Sequence, residues 1–62
     1  MRLLNKNYLH FELGKWYCAI YFDGTRIRFK FIGDNPPMFE TEDGRILTLC
    51  EVTKDAEEIY EV

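Results

Sequence analysis

Three observations predict an all-β domain, a small five-stranded antiparallel barrel of the SH3-like kind. Residues Trp16 to Ile32, WYCAIYFDGTRIRFKFI, are rich in aromatic and β-branched side chains and fold back at Asp23-Gly24, the signature of a hairpin. Met38 to Val52 repeats that pattern around Asp43-Gly44. In a chain of 62 residues, two hairpins leave edges that invite aggregation, and curling the strands into a barrel removes them.

The composition supports one compact domain, residues 1–62. A chain this short buries only about 60% of the surface its unfolded form exposes, so nearly every large apolar residue is needed in one core. With 47% hydrophobic and 16% aromatic residues, that core needs no staples. The absence of serine and glutamine, and only two prolines, exclude a linker or disordered tail.

Taken in order, Tyr8–Leu13 is the first predicted strand, ended by Gly14. Trp16–Phe22 and Thr25–Ile32 form the first hairpin. Gly33 to Pro37 is a loop, because proline cannot donate to a ladder and restricts its predecessor. Met38–Glu42 and Arg45–Val52 form the second hairpin. The acidic C-terminal segment, 53–62, is either a short helix capped by Thr53 or Asp55, with Ala56, Ile59 and Tyr60 on one side, or an edge strand. The five loop residues 33–37 leave no room for the helix that an OB-fold usually inserts there. The strand order resembles SH3-like, Tudor and Sm-like barrels in shape. The ALYDY-type run and paired tryptophans of peptide-binding SH3 domains are missing, so the resemblance implies no proline-rich ligand and no functional residue is carried over.

The return arm of the first hairpin alternates Ile27, Phe29 and Phe31 with Arg26, Arg28 and Lys30. Its period of two gives one buried face and one row of cations. A two-residue turn at Asp23-Gly24 pairs Ile20 with Ile27 and Cys18 with Phe29, burying Trp16, Cys18, Ile20 and Phe22. Tyr17 and Tyr21 then stand outside beside Arg26, Arg28 and Lys30, a surface on which bases can stack while phosphates are neutralised. A three-residue loop with a glycine bulge slips the register by one and turns Tyr17, Ala19 and Tyr21 inward. The first register is expected, because it buries tryptophan and cysteine.

Charge divides the chain. Residues 1–32 carry six basic and two acidic side chains, a net of +4; residues 33–62 carry two basic and nine acidic ones, a net of −7; together they give −3. Such asymmetry marks an interaction surface or halves that neutralise each other. Pro36, Pro37 and Met38, next to Phe39, offer a second contact, a rigid loop presenting an apolar anchor to a protein partner.

Cys18 and Cys50 lie inside apolar runs and are expected as reduced core thiols. With His10 they supply only three soft ligands without C-x-x-C spacing, so no metal or other cofactor is expected. Catalysis is not expected either: there is no serine nucleophile, one histidine, and no G-x-G-x-x-G, P-loop or H-E-x-x-H pattern. No apolar run approaches the roughly 20 residues of a membrane span, and the N-terminus lacks the pattern of a secretory signal, so a cytoplasmic protein is expected. The reading is a protein-interaction module, of the kind a phage or mobile element encodes as a modulator, with possible self-association. The alternative is a single-stranded RNA- or DNA-binding barrel using Tyr17, Tyr21, Arg26, Arg28 and Lys30.

Overall fold

In a computed structural model, which describes every residue from Met1 to Val62, both Asp-Gly segments are hairpin turns of the same design. The Gly24 N–H donates to Tyr21 O at 2.9 Å and the Tyr21 N–H to Thr25 O at 2.8 Å; the Gly44 N–H donates to Thr41 O at 3.0 Å and the Thr41 N–H to Arg45 O at 2.9 Å. Gly24 and Gly44 both have φ 89°, the left-handed conformation that closes a three-residue loop with a glycine bulge.

These turns join β2 (Trp16–Tyr21) to β3 (Arg26–Asp34) and β4 (Pro37–Thr41) to β5 (Ile46–Thr48). With β1 (Arg2–Leu3), helix α1 (Leu49–Thr53) and β6 (Ala56–Glu61), the fold has six strands where five were expected. All pair antiparallel in one sheet of order β1-β6-β2-β3-β4-β5, and β1 and β5 do not pair to close it. The all-β class is as the alternation predicts.

The three-residue loop sets the first hairpin's register: Tyr17 pairs with Phe29, Cys18 with Arg28 and Ala19 with Ile27. The expected two-residue register, with Trp16, Cys18, Ile20 and Phe22 inside, is therefore corrected. Phe22 sits in the turn and is 67% exposed, whereas Tyr17 is 0% exposed. Tyrosine tolerates the interior because its hydroxyl finds a partner. The Tyr21 hydroxyl donates to Val52 O at 2.9 Å, and the Tyr17 hydroxyl accepts from the Glu12 N–H at 2.8 Å.

The inward face comprises Tyr17, Ala19, Tyr21, Phe29, Phe31, Phe39 and Thr41, joined by Leu4, Val52, Ala56 and Ile59. Tyr8–Leu13, expected as a strand, forms none. Tyr8 and Leu13 are exposed, and Phe11 inserts across the open side of the sheet. Its ring meets those of Tyr17 and Phe39 nearly at right angles, with centroids 4.9 Å away in each case. That edge-to-face contact seals the aromatic core without a closing strand pair.

Three further corrections concern the second half, and a fourth concerns the cysteines. The second hairpin's return strand stops at Thr48 rather than Val52, because Thr48 begins a helix. The Thr48 hydroxyl accepts from the Glu51 N–H at 3.3 Å, and the Glu51 carboxylate accepts from the Thr48 N–H at 2.9 Å, a reciprocal capping box. The C-terminal segment is a strand, but an interior one between β1 and β2 rather than an edge. Gly33 and Asp34 extend β3, leaving Asn35 and Pro36 as the turn before Pro37 opens β4; the Asn35–Pro36 bond is cis. Neither cysteine is in the core: Cys18 is half-buried on the outer face and Cys50 is exposed on α1, both as free thiols.

Candidate interaction surface

Because Tyr17, Ala19 and Tyr21 point inward, the alternate residues Trp16, Cys18 and Ile20 stand on the outer face of β2, each half-buried. Beside them on β3 lie Lys30, Arg28 and Arg26 respectively. On the other side, β6 places Tyr60 next to Cys18 and Glu58 next to Ile20. Beyond β3, Lys30 faces Glu40, and Glu40 faces Ile46. No second layer covers this face: Leu3, Ile32, Met38 and Ile46 all remain exposed.

The face is close to charge balance. The Arg28 guanidinium lies 3.6 Å from the Glu42 carboxylate. The Lys30 ammonium sits 5.7 Å from the centre of the Trp16 ring, a cation–π contact. The Tyr60 hydroxyl donates to Glu58 at 2.9 Å; that hydrogen bond is the main cause of the raised Tyr60 pKa, and Arg26 acts in the opposite sense. Arg26 itself makes no ion pair. Three cations, Arg26, Arg28 and Lys30, thus share the face with three carboxylates, Glu40, Glu42 and Glu58.

Of the residues singled out from sequence, Arg26, Arg28 and Lys30 form one outward column of β3, Arg26 and Arg28 exposed and Lys30 half-buried. Tyr17 and Tyr21 do not join them. Burial raises the pKa of Tyr21, and Tyr17 is sealed beneath Phe11. Pro36 is exposed in its turn, Pro37 is half-buried, and Met38 is exposed on the outer face of β4. Met38 therefore belongs to the same surface as the basic column. The sequence reading missed Trp16 and Tyr60 as the aromatic members of that surface. The slipped register already carried the signal for Trp16, whereas Tyr60 had none, because the sequence left residues 53–62 between helix and strand.

Two of the four surface clefts gather residues singled out above. One, of about 270 Å³ between the two hairpin turns, brings Arg26, Arg28 and Arg45 together with Glu42 and Asp43. The other, of about 420 Å³, follows the seam beneath Phe11; it has Leu9, Phe31 and Leu49 on its walls and His10 and Asp34 at its rim. The Lys6 ammonium closes one end, donating to Ala56 O and Glu57 O at 3.0 and 3.1 Å. No group of three or more His, Cys, Asp or Glu side chains converges to hold a metal ion, and no helix is long and apolar enough to cross a membrane. No protein-family model, curated protein or solved structure matches the chain.

Proposed function

We propose that this chain is a non-catalytic, cytoplasmic protein-interaction module, an SH3-like barrel left open along one seam, which docks on a partner protein through the outer face of its sheet. The barrel reading is supported by the path β2-β3-β4-β5, from which the chain returns through α1 to pair β6 with β2. The cytoplasmic reading is supported by two free thiols in the chain.

The observation that carries the docking reading is the uncovered outer face. It groups Trp16, Tyr60 and Arg28, the residue types that dominate binding energy at protein interfaces, around apolar Cys18 and Ile20. Its cations are matched by carboxylates, which suits a protein surface of mixed charge better than a run of phosphates. The second reading, single-stranded RNA or DNA, draws on unpaired Arg26 and on Lys30 over Trp16, with Trp16 and Tyr60 replacing the buried tyrosines as stacking rings.

The test is capture from lysate by tagged protein, with and without nuclease, using the parent, Trp16→Ala and Tyr60→Ala. A stoichiometric protein that resists nuclease and is lost from both variants is the expected result. Capture that disappears with nuclease and falls steeply with salt supports the nucleic-acid reading instead. A protein retained equally by the parent and both variants places the docking surface elsewhere and overturns the proposal.

A further inference from the structure

The outer face carries a pattern that specifies one occupant for part of its area. Two rows cross the sheet at right angles to the strands. In one, Arg28 lies beside Glu42. In the next, Trp16, Lys30, Glu40 and Ile46 follow one another on β2, β3, β4 and β5. Ile32 and Met38 stand outward on β3 and β4 at the far end, next to the bulge between Phe31 and Gly33.

A two-fold axis lying along the strands, midway between β3 and β4, keeps every row at its own height and exchanges left for right. Arg28 of one copy then faces Glu42 of the other, and Lys30 faces Glu40, each contact occurring twice. Ile32 faces Met38. On β3 and β4, charge meets opposite charge in two rows and apolar meets apolar in the third. An axis one half-strand over, along β3, sets Arg28 on Arg28 and Lys30 on Lys30. An axis between β2 and β3 sets Trp16 on Lys30 and Cys18 on Arg28, burying charge against apolar surface. Only the β3–β4 placement is self-complementary, the condition for an isologous pair.

We propose that this patch, the ridge formed by β3 and β4, pairs two copies of the chain face to face about that axis. The proposal rests on the docking reading and names a second copy as the occupant of the β3–β4 part of the face; Trp16 on β2, Tyr60 on β6 and Leu3 on β1 lie outside the patch. Six outward side chains per copy take part: Arg28, Lys30, Ile32, Met38, Glu40 and Glu42. An ordinary stable interface engages about 20–30 residues from each partner, several times the number in this patch. The pair is therefore weak and concentration-dependent, with the apolar contacts supplying affinity and the charges supplying register.

Sedimentation across a concentration series tests this. The parent mass is expected to climb from 7.5 kDa toward twice that value. Arg28→Glu alone sets carboxylate on carboxylate across the axis, Glu42→Arg alone sets guanidinium on guanidinium, and each weakens pairing at least about tenfold. An equimolar mixture of the two restores complementarity in both halves of the interface and regains the pair. Lys30→Glu with Glu40→Lys is the equivalent exchange in the neighbouring row, and it replaces the first if either variant loses its β-sheet circular dichroism. A parent that stays at 7.5 kDa throughout, single variants that pair as well as the parent, or a mixture of folded variants that stays monomeric each overturn the proposal. Tyr60→Ala is expected to leave the mass series unchanged. A monomeric parent whose partner capture is still lost on Tyr60→Ala rejects self-pairing alone; capture indifferent to every face variant rejects the docking reading.

Discussion

Phe29 and Lys30 are neighbours in the chain with opposite fates. Phe29 is fully buried, stacked 6.2 Å from Tyr17 and edge-on to Phe39 at 5.2 Å. Lys30 lies on the far side of the same strand between Trp16 and Glu40. The inner face is buried and aromatic, sealed by Phe11. The outer face alternates apolar and charged side chains and is covered by nothing. Period two gives the same strands both faces. The comparison teaches that stability and recognition are carried by interleaved residues, so each can be altered without the other.

The largest expected effect comes from breaking the inner face. Phe39 is fully buried against Phe11, Phe29 and Phe31, and Phe39→Ala should cost about 3–5 kcal/mol. A domain of 62 residues has on the order of 3–9 kcal/mol to lose, so this variant should forfeit a third or more of its stability. On the outer face, Trp16→Ala forfeits a half-exposed ring and one cation–π contact, about 1 kcal/mol. Urea unfolding of the two variants measures the gap. Equal losses would mean that the two faces do not divide the labour as described.

The division between faces was legible from sequence, but which β2 residues occupied which face was not. Alternation in Arg26 to Phe31 fixes that strand, because its two sets differ sharply in polarity. The facing arm, Trp16 to Tyr21, is apolar on both sides, so its pattern cannot choose a register. Only the turn length chooses, and an Asp-Gly pair serves two-residue and three-residue loops alike. The same slip exchanged Tyr17 and Tyr21 for Trp16 at the candidate surface. The N-terminal segment misled for another reason: Leu9 and Phe11 alternate like strand residues, yet they fill a gap in a sheet assembled from residues far along the chain. The capping box at Thr48 and Glu51 was readable, since T-x-x-E is a helix-start signal, but it stood inside an apolar run that also reads as strand.

A middle-sized effect sharpens the comparison by testing the turns that set the register. Gly24 and Gly44 share φ 89°, and nothing lies within 4 Å of where a Cβ would stand at either. Alanine there meets no neighbour and is penalised only by the left-handed backbone, about 1–2 kcal/mol. Gly33 is equally unobstructed, with no positive φ, so Gly33→Ala should be neutral or stabilising by up to about 1 kcal/mol through the unfolded chain. Thermal melts of the three variants should give two similar losses and one null. A much larger loss at Gly24 would show that the first turn holds more than its own strand pair.

The smallest effects are those of pH, and they too separate the faces. Glu61 is held below the ordinary carboxylate range chiefly by its hydrogen bond from Arg2, with Lys15 assisting. Asp23 and Asp43 are lowered chiefly by the hydroxyls of Thr25 and Thr41. Lowered folded values stabilise above the unfolded pKa of about 4, and that contribution is lost as the pH falls through the folded values. All three groups are on the surface, so the acid loss should be shallow and should shrink in salt. Tyrosine works in the other direction. Tyr21 is raised by burial and Tyr60 chiefly by its bond to Glu58. Their contributions are complete below the unfolded value of about 10 and fade as the pH climbs through the raised ones. Melting temperatures across pH should therefore show an alkaline decline that Tyr21→Phe reduces in any salt, because its origin is desolvation on the inner face. Tyr60→Phe should reduce the part that salt already weakens, because its origin is a carboxylate on the outer face. An alkaline limb indifferent to Tyr21→Phe would remove the inner tyrosine from the titration.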